Sequence, residues 1–117
     1  MESKDLIHNF FKILITVGKD ITSKSYITML INSIVKSLQG SYPVLNKISS
    51  NDDGFEIDNS INDVPNEEVN DALREFFNVF RDPFDKMADL SLLNLIISSL
   101  NKNILDELKN REIIFQD

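Results

Sequence analysis

The chain has 117 residues, a formal net charge of −7 at pH 7 and a hydrophobic fraction of 42%. This length and apolar content suit one folded domain, residues 1–117, and exclude a disordered chain. The absence of cysteine excludes a disulfide framework, a thiolate zinc site and a thiol nucleophile. With only three glycines and three prolines, the composition favours long helices over a turn-rich β fold.

Charge and hydropathy also limit the location and the partners that we expect. The negative charge disfavours nucleic acid and anionic membranes, and the sequence shows no local basic patch. The longest uncharged stretches, 25–35 and 90–101, are about half as long as the roughly twenty residues of a membrane-spanning helix. The N-terminus lacks the basic start of a signal peptide. We therefore expect a soluble, cytoplasmic protein with no nucleic-acid or membrane partner.

The first forty residues predict two helices. Apolar residues at helical spacing indicate a first helix over 3–17, with an apolar arc wider than a surface helix requires. Gly18 is predicted to end this helix. Thr22 or Ser23 is then placed to cap a second, clearly amphipathic helix over 22–38, which ends before Gly40.

The segment 41–62 loses the helical period and is rich in Asp, Asn and Ser. Asp53-Gly54 is a tight-turn signal, and Phe55 and Ile57 alternate with acidic residues as in a half-buried strand. Two alternatives follow. Either the segment 44–48, with Val44, Leu45 and Ile48, pairs with this strand in a hairpin, or the whole segment is an ordered polar loop.

A third helix is predicted over 65–81, with Pro65 near its first turn and Asp82-Pro83 at its end. Residues 83–110 are predicted to be helical, either unbroken or restarting at Ser91. Leu90 to Leu100 is apolar on all sides, which is typical of a central helix. The tail Glu112 to Phe115 is either a short strand or a frayed end. The fold class is therefore mainly α: a small bundle of four or five helices with a short β-hairpin or loop between helices 2 and 3.

Three motifs have a chemical interpretation, and each also has a simpler structural one. Ser49, Asn51, Asp53 and Gly54 imitate the start of a calcium loop, but the twelfth position is Ser60 where a bidentate Glu is needed. A solvated turn is therefore favoured over calcium. The second motif is the group of carboxylates at 67, 68, 71 and 75, which could hold a metal or form an acid–base pair. No partner helix carries matching ligands, so a charged face towards solvent is favoured.

The third motif is His8, the only histidine. An exposed histidine in a helical bundle resembles the phosphoacceptor of histidine phosphotransfer domains. Their motif places small residues after the histidine, however, whereas Phe10 and Phe11 follow here. A solvated surface histidine is favoured. The sequence therefore assigns no catalytic, cofactor-binding or metal-binding residue and implies no cofactor.

The apolar surplus is the strongest functional signal, because it exceeds what a few helices easily hide in a small monomer. It predicts a homodimer contact, with a ligand pocket or a single well-packed core as the alternatives. Asn94 would fix the register of such a contact if it were buried there. The interface candidates are Phe10, Phe11, Phe76, Phe77, Phe80, Leu92, Asn94 and Ile96.

These patterns together predict a non-enzymatic protein-interaction or regulatory module, for example in signal transduction. We expect it to form a homodimer through its apolar helix faces, and a second protein partner is a further possibility that the pattern allows. The alternative is a sensor domain that binds a small apolar ligand between its helices.

Overall fold

A computed structural model describes residues 1–51, 54–86 and 92–114. These residues form five α-helices and one antiparallel hairpin, which confirms the predicted fold class. In chain order the elements are α1 (Ser3–Ile21), α2 (Lys24–Leu38), β1 (Ile48–Asn51), β2 (Gly54–Ile57), α3 (Asn66–Asp85), α4 (Leu92–Ser99) and α5 (Lys102–Asn110). Short 3-10 helices lie on either side of the hairpin, at Pro43–Lys47 and Asn59–Asp63.

The centre of the fold is α1. It contacts α2, α4, α5 and β2, and its residues Leu6, Phe10 and Leu14 are fully buried. The expectation that the apolar run Leu90 to Leu100 forms the central helix is wrong. In α4 Ile96 is buried, but Leu95 is 39% exposed, because a short helix that is apolar on every side can turn only one of them to the core.

Gly18 does not end α1, contrary to the prediction. The helix continues to Ile21, and the amide of Thr22 donates to the carbonyl of Gly18 at 2.9 Å. Gly18 is buried against Ile27 of α2, at a point where a side chain would not fit. The glycine therefore serves close packing of the two helices. The cap prediction is confirmed at Ser23, whose hydroxyl accepts the amide of Tyr26 at 3.2 Å.

Pro83 does not end α3 either, since the helix extends to Asp85. A proline inside a helix costs about 3 kcal/mol. The residue after it, Phe84, is buried, and its ring lies 5.3 Å from that of Phe80. Burying such a ring contributes about 3 kcal/mol, so the packing of this last turn offsets the cost of the proline.

The predicted helix 83–110 is divided between α4 and α5, and residues 87–91, with the predicted restart at Ser91, lie outside the described residues. Asn101 separates the two helices, because its side-chain oxygen accepts the amides of Asn103 and Ile104 and so begins α5. Beyond α5, Ile113 and Ile114 are buried in the core. The described part of the tail is thus neither a strand nor frayed.

The hairpin lies on the helices and places two apolar side chains beside α1. In its register Ile48 pairs with Ile57, and Asn51 pairs with Gly54, which therefore belongs to β2. The ring of Phe55 lies 5.4 Å from that of Phe11 in an edge-to-face arrangement. This packing stabilises a hairpin that would be marginal alone. Val44 and Leu45, expected in the first strand, lie instead in the 3-10 helix that precedes it.

Candidate functional site

A groove runs between α1, the first turns of α2, and β2. We call it the basic groove, and its volume is about 450 Å³. A second hollow of about 570 Å³ continues it towards the start of α1, and the two share His8, Phe55 and Ile57. The basic groove is lined by His8, Phe11, Lys12, Ile15, Thr16, Lys19, Lys24, Thr28, Phe55 and Ile57.

The floor of the basic groove is apolar. Phe11 and Ile15 lie one turn apart at the edge of the wide apolar arc of α1, and Phe55 and Ile57 face them from β2. Phe11 and Ile57 are almost fully buried, whereas Ile15 and Phe55 keep part of their surface accessible. The floor is therefore a rigid apolar surface anchored in the core.

The rim of the groove is basic. Lys12 and Lys19 are two turns apart on α1, about 10 Å at 1.5 Å of rise per residue, and Lys24 begins α2. All three are exposed, and none forms an ion pair with another described residue. No carboxylate lines the groove in the part of the chain that the structure describes. The fold thus brings together three lysines that are separated in the sequence.

The second hollow also contains lysines, but these are used to hold the fold together. The ammonium group of Lys4 donates to the side-chain oxygen of Asn59, and that of Lys47 donates to the hydroxyl of Ser60 at 2.7 Å. Asp58 also lines this hollow. Hydrogen bonds from the hydroxyl and the amide of Ser60 hold the pKa of the Asp58 carboxyl below its usual range. The side chains of Lys12, Lys19 and Lys24 form no such hydrogen bond with another described residue.

The interface candidates lie mostly inside one chain. The six described apolar candidates, Phe10, Phe11, Phe76, Phe77, Phe80 and Ile96, are buried, and the phenylalanine rings contact one another. For example, the rings of Phe11 and Phe76 stack at 4.8 Å, and those of Phe10 and Phe77 lie 5.6 Å apart. Stacking fills the centre of the fold with these rings, so they form no solvent-exposed face. Asn94 is exposed on α4, and the Leu92 side chain lies outside the described residues.

The remaining sequence motifs are distributed as follows. His8 is exposed where the two hollows meet. In the calcium-like loop Ser49 pairs with Glu56 across the hairpin, and residues 52 and 53 lie outside the described residues. The described residues contain no group of three or more His, Cys, Asp or Glu that could hold a metal ion.

The acidic face of α3 is exposed at Glu67 and Glu68, and Asp71 pairs with Arg74 at 2.9 Å. This arrangement is that of a solvated charged face.

Sequence reasoning missed the groove because its rim comes from two helices and its floor from a helix and a strand. Lys12 and Lys19 are seven residues apart, so the sequence alone puts them on the same side of a helix. Nothing in the sequence placed Lys24, or the hairpin, on the same side of α1.

Among the described residues no helix is long and apolar enough to cross a membrane. No protein-family model, no curated protein and no solved structure matches the chain. The chemistry of the basic groove is therefore the basis for assigning a function.

Proposed function

We propose that this chain is a cytoplasmic, non-enzymatic protein-interaction module with a regulatory role, and that the basic groove contacts its partner. The observation that supports the proposal is a rim of exposed lysines without carboxylates around an apolar floor, in a chain with a net charge of −7. An apolar centre with a polar rim is the usual composition of a protein interface.

The lining also suits binding better than catalysis. Catalytic sites orient a nucleophile or base through a second hydrogen-bonding group. The basic groove has no carboxylate in its described lining, and among the described contacts Glu56 and Asp58 of the second hollow form no hydrogen bond with the imidazole of His8. The groove offers positive charge and apolar contact area, which attract a partner without acting on it.

Comparative co-purification from the native host tests the proposal. The groove variant carries Lys12→Glu and Lys24→Glu, and the control variant carries Lys36→Glu and Lys102→Glu. Each variant changes the net charge equally, and all four lysines are exposed. Lys24 and Lys102 each begin a helix, so these two substitutions are matched at the helix N-terminus. We expect some host proteins to co-purify with the wild type and with the control variant but not with the groove variant. Identical protein sets for all three would refute the proposal.

A ligand-binding sensor is the second candidate, and the size of the groove favours it. Its volume of about 450 Å³ lies within the usual range for small-molecule sites, and its floor is apolar. Native mass spectrometry of protein purified from its own host tests this candidate. A retained small molecule that the groove variant loses would favour the sensor, and bare protein in every sample would count against it.

The homodimer stays a prediction. Because the predicted contact residues Phe10, Phe76 and Phe77 are buried in one chain, a dimer has to use other surfaces. Sedimentation at two protein concentrations tests it, and a monomer at both would refute it.

A further inference from the structure

We infer that the occupant of the basic groove is an acidic, amphipathic helix of a partner protein. The inference rests on the proposed function and specifies the partner. In this arrangement the apolar side chains of the partner helix pack on the accessible parts of Ile15 and Phe55, and its carboxylates pair with Lys12, Lys19 and Lys24.

Charge complementarity selects an acidic partner. Outside the groove, Arg74, Arg81 and Lys86 each face a carboxylate within 4.0 Å, whereas the exposed Lys36 and Lys102 form no ion pair with a described residue. The groove differs in bringing three such lysines together. Lys12, Lys19 and Lys24 face none among the described residues, although acidic residues outnumber basic ones by 19 to 12. Screening reduces the repulsion from the net negative charge beyond about 8 Å at physiological salt. The charged side chains in the described lining of the groove are Lys12, Lys19 and Lys24.

The shape of the groove selects a helix over a small molecule. Small-molecule sites usually bury most of their ligand's surface. Here the rim side chains Lys12, Thr16 and Lys19 are exposed. From His8 to Lys19 the basic groove extends over about 16 Å of helix. That length suits about eleven residues of a helix lying in the groove.

The spacing of the lysines predicts a pattern in the partner. Lys12 and Lys19 are about 10 Å apart along α1, which matches acidic side chains seven residues apart on a partner helix. Ile15 lies between them, so apolar residues three and four positions after the first acidic residue face the floor. The partner is therefore expected to carry acidic residues at i and i+7 and apolar residues at i+3 and i+4.

Fluorescence anisotropy with a designed peptide tests the inference. The probe is a dye-labelled peptide of about fifteen residues with glutamates and leucines at the positions just described. We expect it to bind the wild type and the Lys36→Glu, Lys102→Glu control equally. Binding to the Lys12→Glu, Lys24→Glu variant should be about tenfold weaker or more, because two of the three rim cations become carboxylates that repel the glutamates of the peptide. Salt should also weaken binding, since the screening length falls from about 10 Å at 0.1 M to about 3 Å at 1 M.

Two peptide controls separate charge from apolar contact. Replacing the glutamates by glutamine or the leucines by serine should each reduce the affinity of the wild type. Equal binding of the probe to wild type and groove variant, or no loss with the glutamine peptide, would overturn the inference. Thermal melts of the variants show whether each is folded.

Other occupants give different results in the same assay. Binding of dodecanoate or of an oligothymidine, without binding of the peptide, would overturn the inference in favour of a small amphiphile or a nucleic acid. If the peptide does not bind but co-purification still depends on the groove, the acidic helix is refuted and the proposed interaction module is retained. Failure of both experiments would refute the proposed function as well.

Discussion

Replacing Gly18 by alanine should destabilise the protein, although alanine normally favours a helix over glycine by about 1 kcal/mol. A β-carbon at this position would lie 2.5 Å from Cδ1 and 2.6 Å from Cγ1 of Ile27. Carbon atoms pack best at about 3.5–4.0 Å, so one helix has to move by about 1 Å. Because Ile27 is fully buried, that movement disturbs the core. Overpacking costs about 1–3 kcal/mol, and the atoms here are closer than any ordinary contact, so we expect the upper part of this range and a net loss of up to about 2 kcal/mol.

The free energy of unfolding, measured with a chemical denaturant, checks this prediction in a double-mutant cycle. Ile27→Ala alone should cost about 2–5 kcal/mol, because it opens a cavity. It also removes the three atoms nearest to the new methyl group, Cδ1, Cγ1 and Cγ2 of Ile27, so Gly18→Ala in that background should be neutral or stabilising. Gly40→Ala is the control, since a β-carbon added there would have nothing within 4 Å. A stabilising Gly18→Ala in the wild type, without coupling to Ile27, would refute the close approach of α1 and α2.

Three further predictions concern the termini and the segment after the hairpin. Arg111 donates to Glu107 at 2.8 Å, to the Ser3 hydroxyl at 3.1 Å and to the Met1 carbonyl at 2.7 Å. Arg111→Ala should therefore lower the free energy of unfolding by about 2–3 kcal/mol. Arg111→Lys should restore little of this loss, because an ammonium group cannot reproduce the geometry of the guanidinium. A loss below about 0.5 kcal/mol would contradict this role. Because the folded-state pKa of Asp58 is lowered, its contribution to stability is present above its ordinary pKa of 3.8 and is lost as the pH falls through the lower folded value. Thermal melts between about pH 2 and 6 should therefore show a shallower acid decline for Asp58→Asn than for the wild type, and parallel curves would count against it. Asn101→Ala should cost about 1 kcal/mol in thermal or denaturant unfolding through loss of the α5 cap, and an unchanged midpoint would contradict the capping geometry.

Most of the fold was predictable from the helical spacing of apolar residues, because these residues form the buried faces of the helices. The buried face of α2 and the phenylalanine face of α3 follow directly from residue spacing, and the Ser23 cap follows from local hydrogen bonding. The hairpin was one of two alternatives, and its packing against Phe11 decides between them.

The errors occur where a tertiary contact overrides a local signal. Gly18 reads as a helix stop, yet it permits a close approach to Ile27. Pro83 reads as a helix end, yet the burial of Phe84 keeps the helix intact. Neither contact is visible in residue spacing, because each depends on how elements pack against one another.

The candidate site was predictable only in part, for the same reason. The apolar excess was a correct observation, but Phe11 and Phe76 stack on each other inside one chain. Phe11 and its neighbour Ile15, one turn later, form part of the groove floor. The lysine rim depends on the packing of α1 beside the start of α2, so no local pattern could predict it.

The most direct test of the basic groove as the binding surface is an NMR titration of the isotope-labelled protein with the glutamate–leucine peptide. If the groove binds the peptide, the backbone resonances of Thr16, Lys24 and Phe55 should shift progressively and saturate. Those of Lys36 and Lys102, on other parts of the surface, should stay unchanged. Shifts confined to α3 or α5, or no saturating shifts at all, would contradict the assignment of the groove as the interaction site.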